Sequence, residues 1–373
     1  MMKKMLLVSL VFVTMLALAA CGGGADAPAD GDGLRIAIVT SPSGVDDGNF
    51  NQNNYEGILA FIEDNPGATV NAIQEPTGDV TASVQAVADI VADYDVIVTP
   101  GFQFAGISAI ALENPDTYFI LVDSDPEPQG DITEFDNIYA MTFAEEESGF
   151  FAGVAAALET NSGKVASLTG IAFPPVVNYQ FGFESGVNYA NQNLGTNVEI
   201  VSLPSYAGTD VTGANVGGNY VGDFNDPATG KVISDALIAQ GVDIIFMVAG
   251  GSGQGAITAA LEAGGVMVIG GDVDQYDDGS YSGGNIVLTS ALKNMAINVE
   301  RQLNAIADGT FQGSNNIMQM DTQSTGLVTE EGRHQMSDET LEIVLGLYDQ
   351  VADGSIVPAS NFNGHAPDNF PGL

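Results

Sequence analysis

Short apolar runs recur along this chain, each followed by a turn and then by apolar residues at three- and four-residue spacing. The runs include "RIAIVT", "ATVNAIQ", "DVIVTPG", "YFILVD", "NIYAMTF", "KVASLTG", "VEIVSLP", "DIIFMVAG", "VMVIGGD" and "NIVLTS". Many are apolar throughout rather than alternating, as parallel strands covered on both faces are. The intervening pieces, such as "VTASVQAVADIVADY" and "SGQGAITAALEAGG", have helical periodicity and close in Gly or Tyr-Asp before the next strand. This alternation restricts the chain to an α/β architecture with parallel sheets. About 340 residues follow Leu34, more than one compact core usually holds, so two lobes are expected. The natural break follows Phe143, after roughly five strands, and a second series begins at "KVASLTG". Doubly wound lobes bind ligands outside the carboxyl ends of their strands, so two facing lobes make a cleft.

The first residues set where such a domain works. "MMKKMLLVSLVFVTMLALAAC" has two lysines, an apolar core and small residues before Cys21, the layout of a secretory signal over residues 1–20. It is too short for a stable membrane span. "LAAC" resembles a bacterial lipobox, which makes Cys21, the sole cysteine, the expected lipidation site. With no second cysteine there is no intrachain disulfide framework and no cysteine metal cluster. "GGGADAPADGDG" cannot bury apolar surface, so residues 21–33 read as a lipidated flexible tether, and contact with the membrane is expected through the anchor only. Loss of Lys3 and Lys4 with the signal takes the formal charge from -40 to about -42. Such a surface repels phosphates, which argues against nucleic-acid binding. The acidic excess is spread along the chain, as suits either a saline habitat or ordinary acidic solubility.

If the cleft exists, the strand ends name its candidates. The first gives the loop "SPSGVDDGNFNQNNYEGI", with Ser41, Asp47, Asn49 and Phe50; the third gives Gly101 and Phe102; the fourth gives Asp123. In the second series, Asp226 is placed as an N-cap with Pro227 as the first helical residue. Phe224 then ends the preceding extended run, pointing into the crevice or closing a staple on its own helix. The helix in "FPPVVNYQFGFESGV" is expected to start just past the prolines, with Phe183 and Val187 on its core face and Phe181 aimed elsewhere, toward ligand or a neighbouring loop. "AGGSGQG" lacks a phosphate-loop signature, so Gly250 and Gly251 are read as letting a ligand hydroxyl approach backbone amides. Asp272 ends a buried run, where a carboxylate needs a hydrogen-bonding partner such as a ligand. Lys293 is one of six mature cations and follows a strand end, facing the cleft or bridging an aspartate. No catalytic set assembles: His334 and His365 lack serine-elbow or metal spacing, and the neighbours Asp46 and Asp47 point apart.

These stretches resemble the basic membrane protein family of bacterial lipoproteins, substrate-binding components of ABC transporters, several of which bind nucleosides. "VDDGNFNQNNYEGI" is similar to the family's Asp-Asp-x-Ser-Phe-Asn-Gln stretch, "ESGFFAGVAAAL" to its Gly-x-x-Ala-Gly helix and "PPVVNYQFGFESGV" to its Phe-x-x-Gly-Phe loop; "YVGDFNDPATGK", "VAGGSGQG", "VIGGDVDQ" and "TSALKN" match later motifs. The resemblance implies the type I periplasmic-binding-protein fold, two doubly wound lobes joined by three crossovers. Lobe 1 is expected over 34–143 with about 273–305 returning to it, and lobe 2 over 144–272 with about 306–373 returning. It further implies that Phe50 and Phe224 stack on a nucleoside base, that Asn49 bonds its edge, and that Asp272, Lys293 and Gly250 hold the sugar. Ser41, Asp47, Gly101, Phe102, Phe181 and Gly251 are secondary candidates. Purine-binding relatives carry acidic residues at the positions of Ser41 and near Gly106, so the departure here leaves the base, and even the ligand class, open: another small polar or sugar-like ligand, or a non-transport surface or sensor lipoprotein, is the alternative. An ABC permease and ATPase are the implied partners of a monomeric binding protein that needs no cofactor and catalyses no reaction.

Overall fold

The computed structural model describes residues 33–373; the signal, Cys21 and the tether as far as Asp32 lie outside the described residues. The strands are β1 35–40, β2 69–74, β3 96–100, β4 118–122, β5 138–143, β6 164–169, β7 199–200, β8 208–209, β9 215–217, β10 244–248, β11 267–272, β12 280–281, β13 284–285, β14 287–293, β15 314–318 and β16 325–327. The α-helices are α1 50–64, α2 80–88, α3 108–113, α4 145–159, α5 174–193, α6 227–239, α7 254–263, α8 295–307 and α9 338–352.

Two six-stranded sheets organise these elements, in the orders β15-β5-β4-β3-β1-β2 and β16-β14-β11-β10-β6-β7. The pairings are parallel except that β16 runs antiparallel to β14. Both are doubly wound, and strand order reverses between β1 and β3 in one and between β6 and β10 in the other. Central strands such as Val96–Pro100 and Ile244–Val248 are buried along their whole length because helices cover both faces. On the first sheet, α1 and α8 pack one face through Ile58, Phe61, Val299 and Leu303, while Val87, Ile107 and Ala111 of the α2–α3 side cover the other. On the second, α4, α5 and α9 cover one face and α6 and α7 the other.

The chain crosses between sheets at Phe143–Glu145, at Lys293–Met295 and between Met318 and Thr325. Hydrogen bonds tie these crossovers together, from Ala144 N–H to the Met318 carbonyl and from Asn294 N–H to the Ser324 carbonyl. The returning segment therefore differs from the expected 273–305. Val287–Lys293 pairs in parallel with β11 and stays in lobe 2, whereas α8 and Ser314–Met318 return to lobe 1. A chain crosses only where a strand ends, and β14 ends at Lys293.

Two local features aim the site. Asp226 accepts from Thr229 N–H and caps α6, with Pro227 following as expected. Helix α5 instead includes its prolines, Pro174 and Pro175, in the first turn, where a missing N–H has no helical partner to lose. Helices α4 and α5 approach closely through glycines: a methyl on Gly153 would overlap the Phe183 carbonyl oxygen, and one on Gly186 the Phe150 carbonyl oxygen. That approach brings the first residue of α4, Glu145, against Asn178 of α5.

Candidate functional site

The carboxyl ends of both sheets converge on a cavity of about 520 Å³, within the range of small-molecule sites. Phe50 opens α1 after the β1 loop and lines one side. Phe224 lines the other, its ring resting on Gly170, where a methyl would strike the ring. Phe173 stands 5.6 Å from Phe102 and 6.2 Å from Phe224 between ring centroids, so an aromatic run crosses from lobe 1 to lobe 2. These rings offer flat apolar faces.

The floor is charged. Lys293 Nζ lies 2.7 Å from Asp123 Oδ2, 3.1 Å from Glu145 Oε1 and 3.8 Å from Asp272 Oδ1. It also sits 5.3 Å from the centroid of the Phe50 ring. Asp123 directly follows β4 of lobe 1 and Asp272 ends β11 of lobe 2; these are corresponding strands, and both residues are left-handed, with φ of 64° and 67°. Such backbone costs about 1–3 kcal/mol for a residue other than glycine. It turns each carboxylate from its sheet toward the same lysine.

Tyr179 Oη donates to Asp272 Oδ1 at 3.2 Å, and Asn178 Nδ2 donates to Glu145 Oε2 at 2.9 Å. Asp123 Oδ1 is buried without a protein partner. Burial pushes the carboxyls of Asp123 and Asp272 up, against the pull of Lys293. Burial and the charge of Asp123 raise Glu145 to about 8, with Lys293 opposing. For Lys293, burial favours the neutral amine, but the three carboxylates outweigh it and keep the ammonium protonated. The cavity thus joins stacking surfaces to a dense set of acceptors around one cation. Among the described residues no group of three or more His, Cys, Asp or Glu could hold a metal ion.

The fold has counterparts among solved structures. The solute-binding protein of an ABC transporter system from Aeropyrum pernix superposes with a TM-score of 0.73 at 21% identity, covering 89% of this chain and 94% of that one. At that identity the likeness concerns the fold. Residues 35–204 and 212–359 match the Bmp family, described as ABC transporter substrate-binding protein, PnrA-like. The chain belongs to the Bmp family. It is 27% identical to the ABC transporter nucleoside-binding protein BmpA of Lactococcus lactis subsp. cremoris, over 88% of this chain and 89% of the relative. It is equally similar, 27%, to the CD4+ T-cell-stimulating antigen of Listeria innocua serovar 6a, over 94% of this chain and 96% of the relative. As a Bmp protein the chain is an extracytoplasmic, membrane-associated substrate-binding component that works with ABC permease and ATPase subunits, and the family is one of binding proteins rather than enzymes.

Of the residues read from the sequence of this Bmp protein, Ser41, Asp47, Phe50, Gly101, Phe102, Phe224, Gly250, Asp272 and Lys293 line the cavity, as does Asp123. Asn49, Phe181 and Gly251 do not. Asn49 is buried beneath the loop, and Asn51 lines the cavity in its place, donating to Ser41 Oγ at 3.0 Å and to Asp47 Oδ2 at 2.9 Å. Asp47 accepts the backbone N–H groups of Asn49, Asn51 and Gln52, so it caps α1 as well as facing the cleft. Phe181 packs on the core of lobe 2. Gly251 lies beside the Phe224 carbonyl and Asn225. Tyr179, Phe173 and Glu145 have no separate signal in the sequence. Tyr179 lies four residues before Phe183 and reads as core, which it also is, at 1% exposure. Glu145 reads as one of three acidic residues opening a helix.

Proposed function

We propose that this Bmp protein captures a neutral, nucleoside-like solute between its lobes and presents it to the importer, held at the membrane by a lipid on Cys21. The observation that carries this reading is the pairing of Phe50 and Phe224 on the cavity wall with Asp272, Lys293 and Gly250 beneath them. In this reading a planar base lies between the rings, and sugar hydroxyls meet Asp272, Lys293 and the backbone at Gly250, which has φ 52°. The nucleoside-binding name of the Lactococcus lactis relative supports it. The base-edge role expected of Asn49 passes to Asn51, which lines the cavity. Ser41 Oγ is engaged by Asn51 and supplies no carboxylate for purine N–H groups, so a broader polar or sugar-like ligand is the second reading.

Lobe closure follows from contacts split between the lobes, since a ligand that touches both binds the closed form better. The protein acts as a monomer in this scheme. Mass spectrometry of ligand released by denaturing the purified protein tests the class, and a thermal-shift panel of purine and pyrimidine nucleosides tests the affinity order. A nucleoside at a hundredfold excess over Kd stabilises the fold by about 2.7 kcal/mol. A flat panel together with a released ligand that is not a nucleoside overturns the nucleoside reading.

A further inference from the structure

The charge around Lys293 does not balance, and the imbalance depends on lobe position. Lys293 ends β14, Glu145 begins α4, Asp272 ends β11 and Tyr179 lies in α5, all in lobe 2. Asp123 alone comes from lobe 1. Closing the cleft therefore carries a third carboxylate onto a buried ammonium that already has two. Glu145 is 1% exposed and does not line the cavity; its second oxygen is held by Asn178, whose own Oδ1 accepts from Asn361 N–H. It cannot turn to water when Asp123 arrives.

We propose that lobe closure is coupled to uptake of a proton, held chiefly by Glu145, so that solute binding strengthens as pH falls. The inference rests on the lobe-closing, solute-binding reading above and adds its regulation. The titratable and charged groups facing Glu145 are Lys293 from β14, Asp123 just past β4, Tyr179 from α5 and Glu146 of its own helix, with Asp272 from β11 on the far side of the shared lysine. Asp123 makes the shortest contact with Lys293, and Asp272 accepts from Tyr179 while facing the cavity. Glu145 is the remaining carboxylate, the most buried of the three, and with Asp123 seated on Lys293 its pKa is raised to about 8. Opening removes Asp123 and lowers that value. The sign follows: the closed form binds the extra proton, its advantage is full below the open-state pKa, and it is lost as pH rises through the closed-state pKa.

Two measurements on the full mature chain read closure and binding apart: small-angle scattering without ligand, and calorimetric titration of inosine, each from about pH 6 to about pH 9. The wild-type radius of gyration should grow with pH, and inosine affinity should fall by up to about tenfold per pH unit, the limit for one linked proton, between the open-state pKa and about pH 8, and level off above it. Glu145→Gln should flatten both responses. Asp123→Asn, which keeps Glu145 but removes the incoming charge, should flatten the scattering response and decides the matter if Glu145→Gln fails to fold. Dimensions that do not change with pH in the wild type, or a response that persists in either variant, overturn the proposal. If inosine does not bind but the scattering response is present and abolished in the variants, the nucleoside reading fails and proton-coupled closure stands.

Discussion

Replacing Lys293 with methionine removes one charge from a site that holds three carboxylates within 3.8 Å of it. The stem is conserved in volume, so the cost is electrostatic. In the wild type at pH 7, Glu145, with its pKa raised to about 8, already holds a proton. Without Lys293, at least one further carboxyl among Asp123 and Asp272 must become neutral in the folded state. Holding a group of unfolded pKa near 4 neutral at pH 7 costs about 4 kcal/mol, in line with roughly 3–5 kcal/mol for breaking a buried ion pair. At pH 5 the same cost falls to about 1.4 kcal/mol. The folded variant binds more protons than its unfolded chain, so its stability falls as pH rises. Near 60 °C the unfolding entropy of a chain of this length is about 0.7 kcal/mol/K, which converts these costs to a Tm deficit of about 6 °C at pH 7 and about 2 °C at pH 5. Opening of the cleft would solvate Asp123, so the pH 7 figure is a ceiling. Scanning calorimetry of both proteins at several pH values measures the deficit. A deficit independent of pH, or one below 1 °C at pH 7, would refute the claim that Lys293 neutralises buried charge.

Three further outcomes are expected. Gly153→Ala places a methyl on the Phe183 carbonyl oxygen at the α4–α5 contact, and urea unfolding should show a loss of about 1–3 kcal/mol or more; an unchanged midpoint would mean that the helices part at little cost. By calorimetry, Phe50→Ala and Asp272→Ala should each weaken nucleoside binding by about 1–3 kcal/mol, the first with little dependence on the base and the second only while the sugar hydroxyls are present. Cys21→Ala protein should lose its partition into detergent, and full retention would refute lipidation at that residue.

Much of this molecule is legible in its sequence because the physical cause is local. A strand covered on both faces must be apolar along its length, so "DVIVTPG" and "DIIFMVAG" announce a parallel sheet without their neighbours. Strand ends in such sheets face the ligand side, and for that reason Phe50, Asp123, Gly250, Asp272 and Lys293 could be named as cleft residues from position alone. The cap at Asp226 and Pro227 is legible for the same reason: its bonds close within four residues.

What the tertiary structure decided are matters of pairing and rotation. "NIVLTS" is apolar enough for either sheet, and its parallel partner β11, absent from the run itself, assigns it to lobe 2 and moves the crossover to Lys293. Asn49 and Asn51 differ in the loop by two positions; the Asp47 cap fixes where α1 begins, and with it which amide faces the cavity. The charged floor is the extreme case, since Lys293 meets Asp123 across 170 positions and Glu145 across 148. Propensity and periodicity act over a few residues, whereas an ion pair is specified by distance in space. Two lobes had to fold and meet before four charges at the ends of separate elements could become one site.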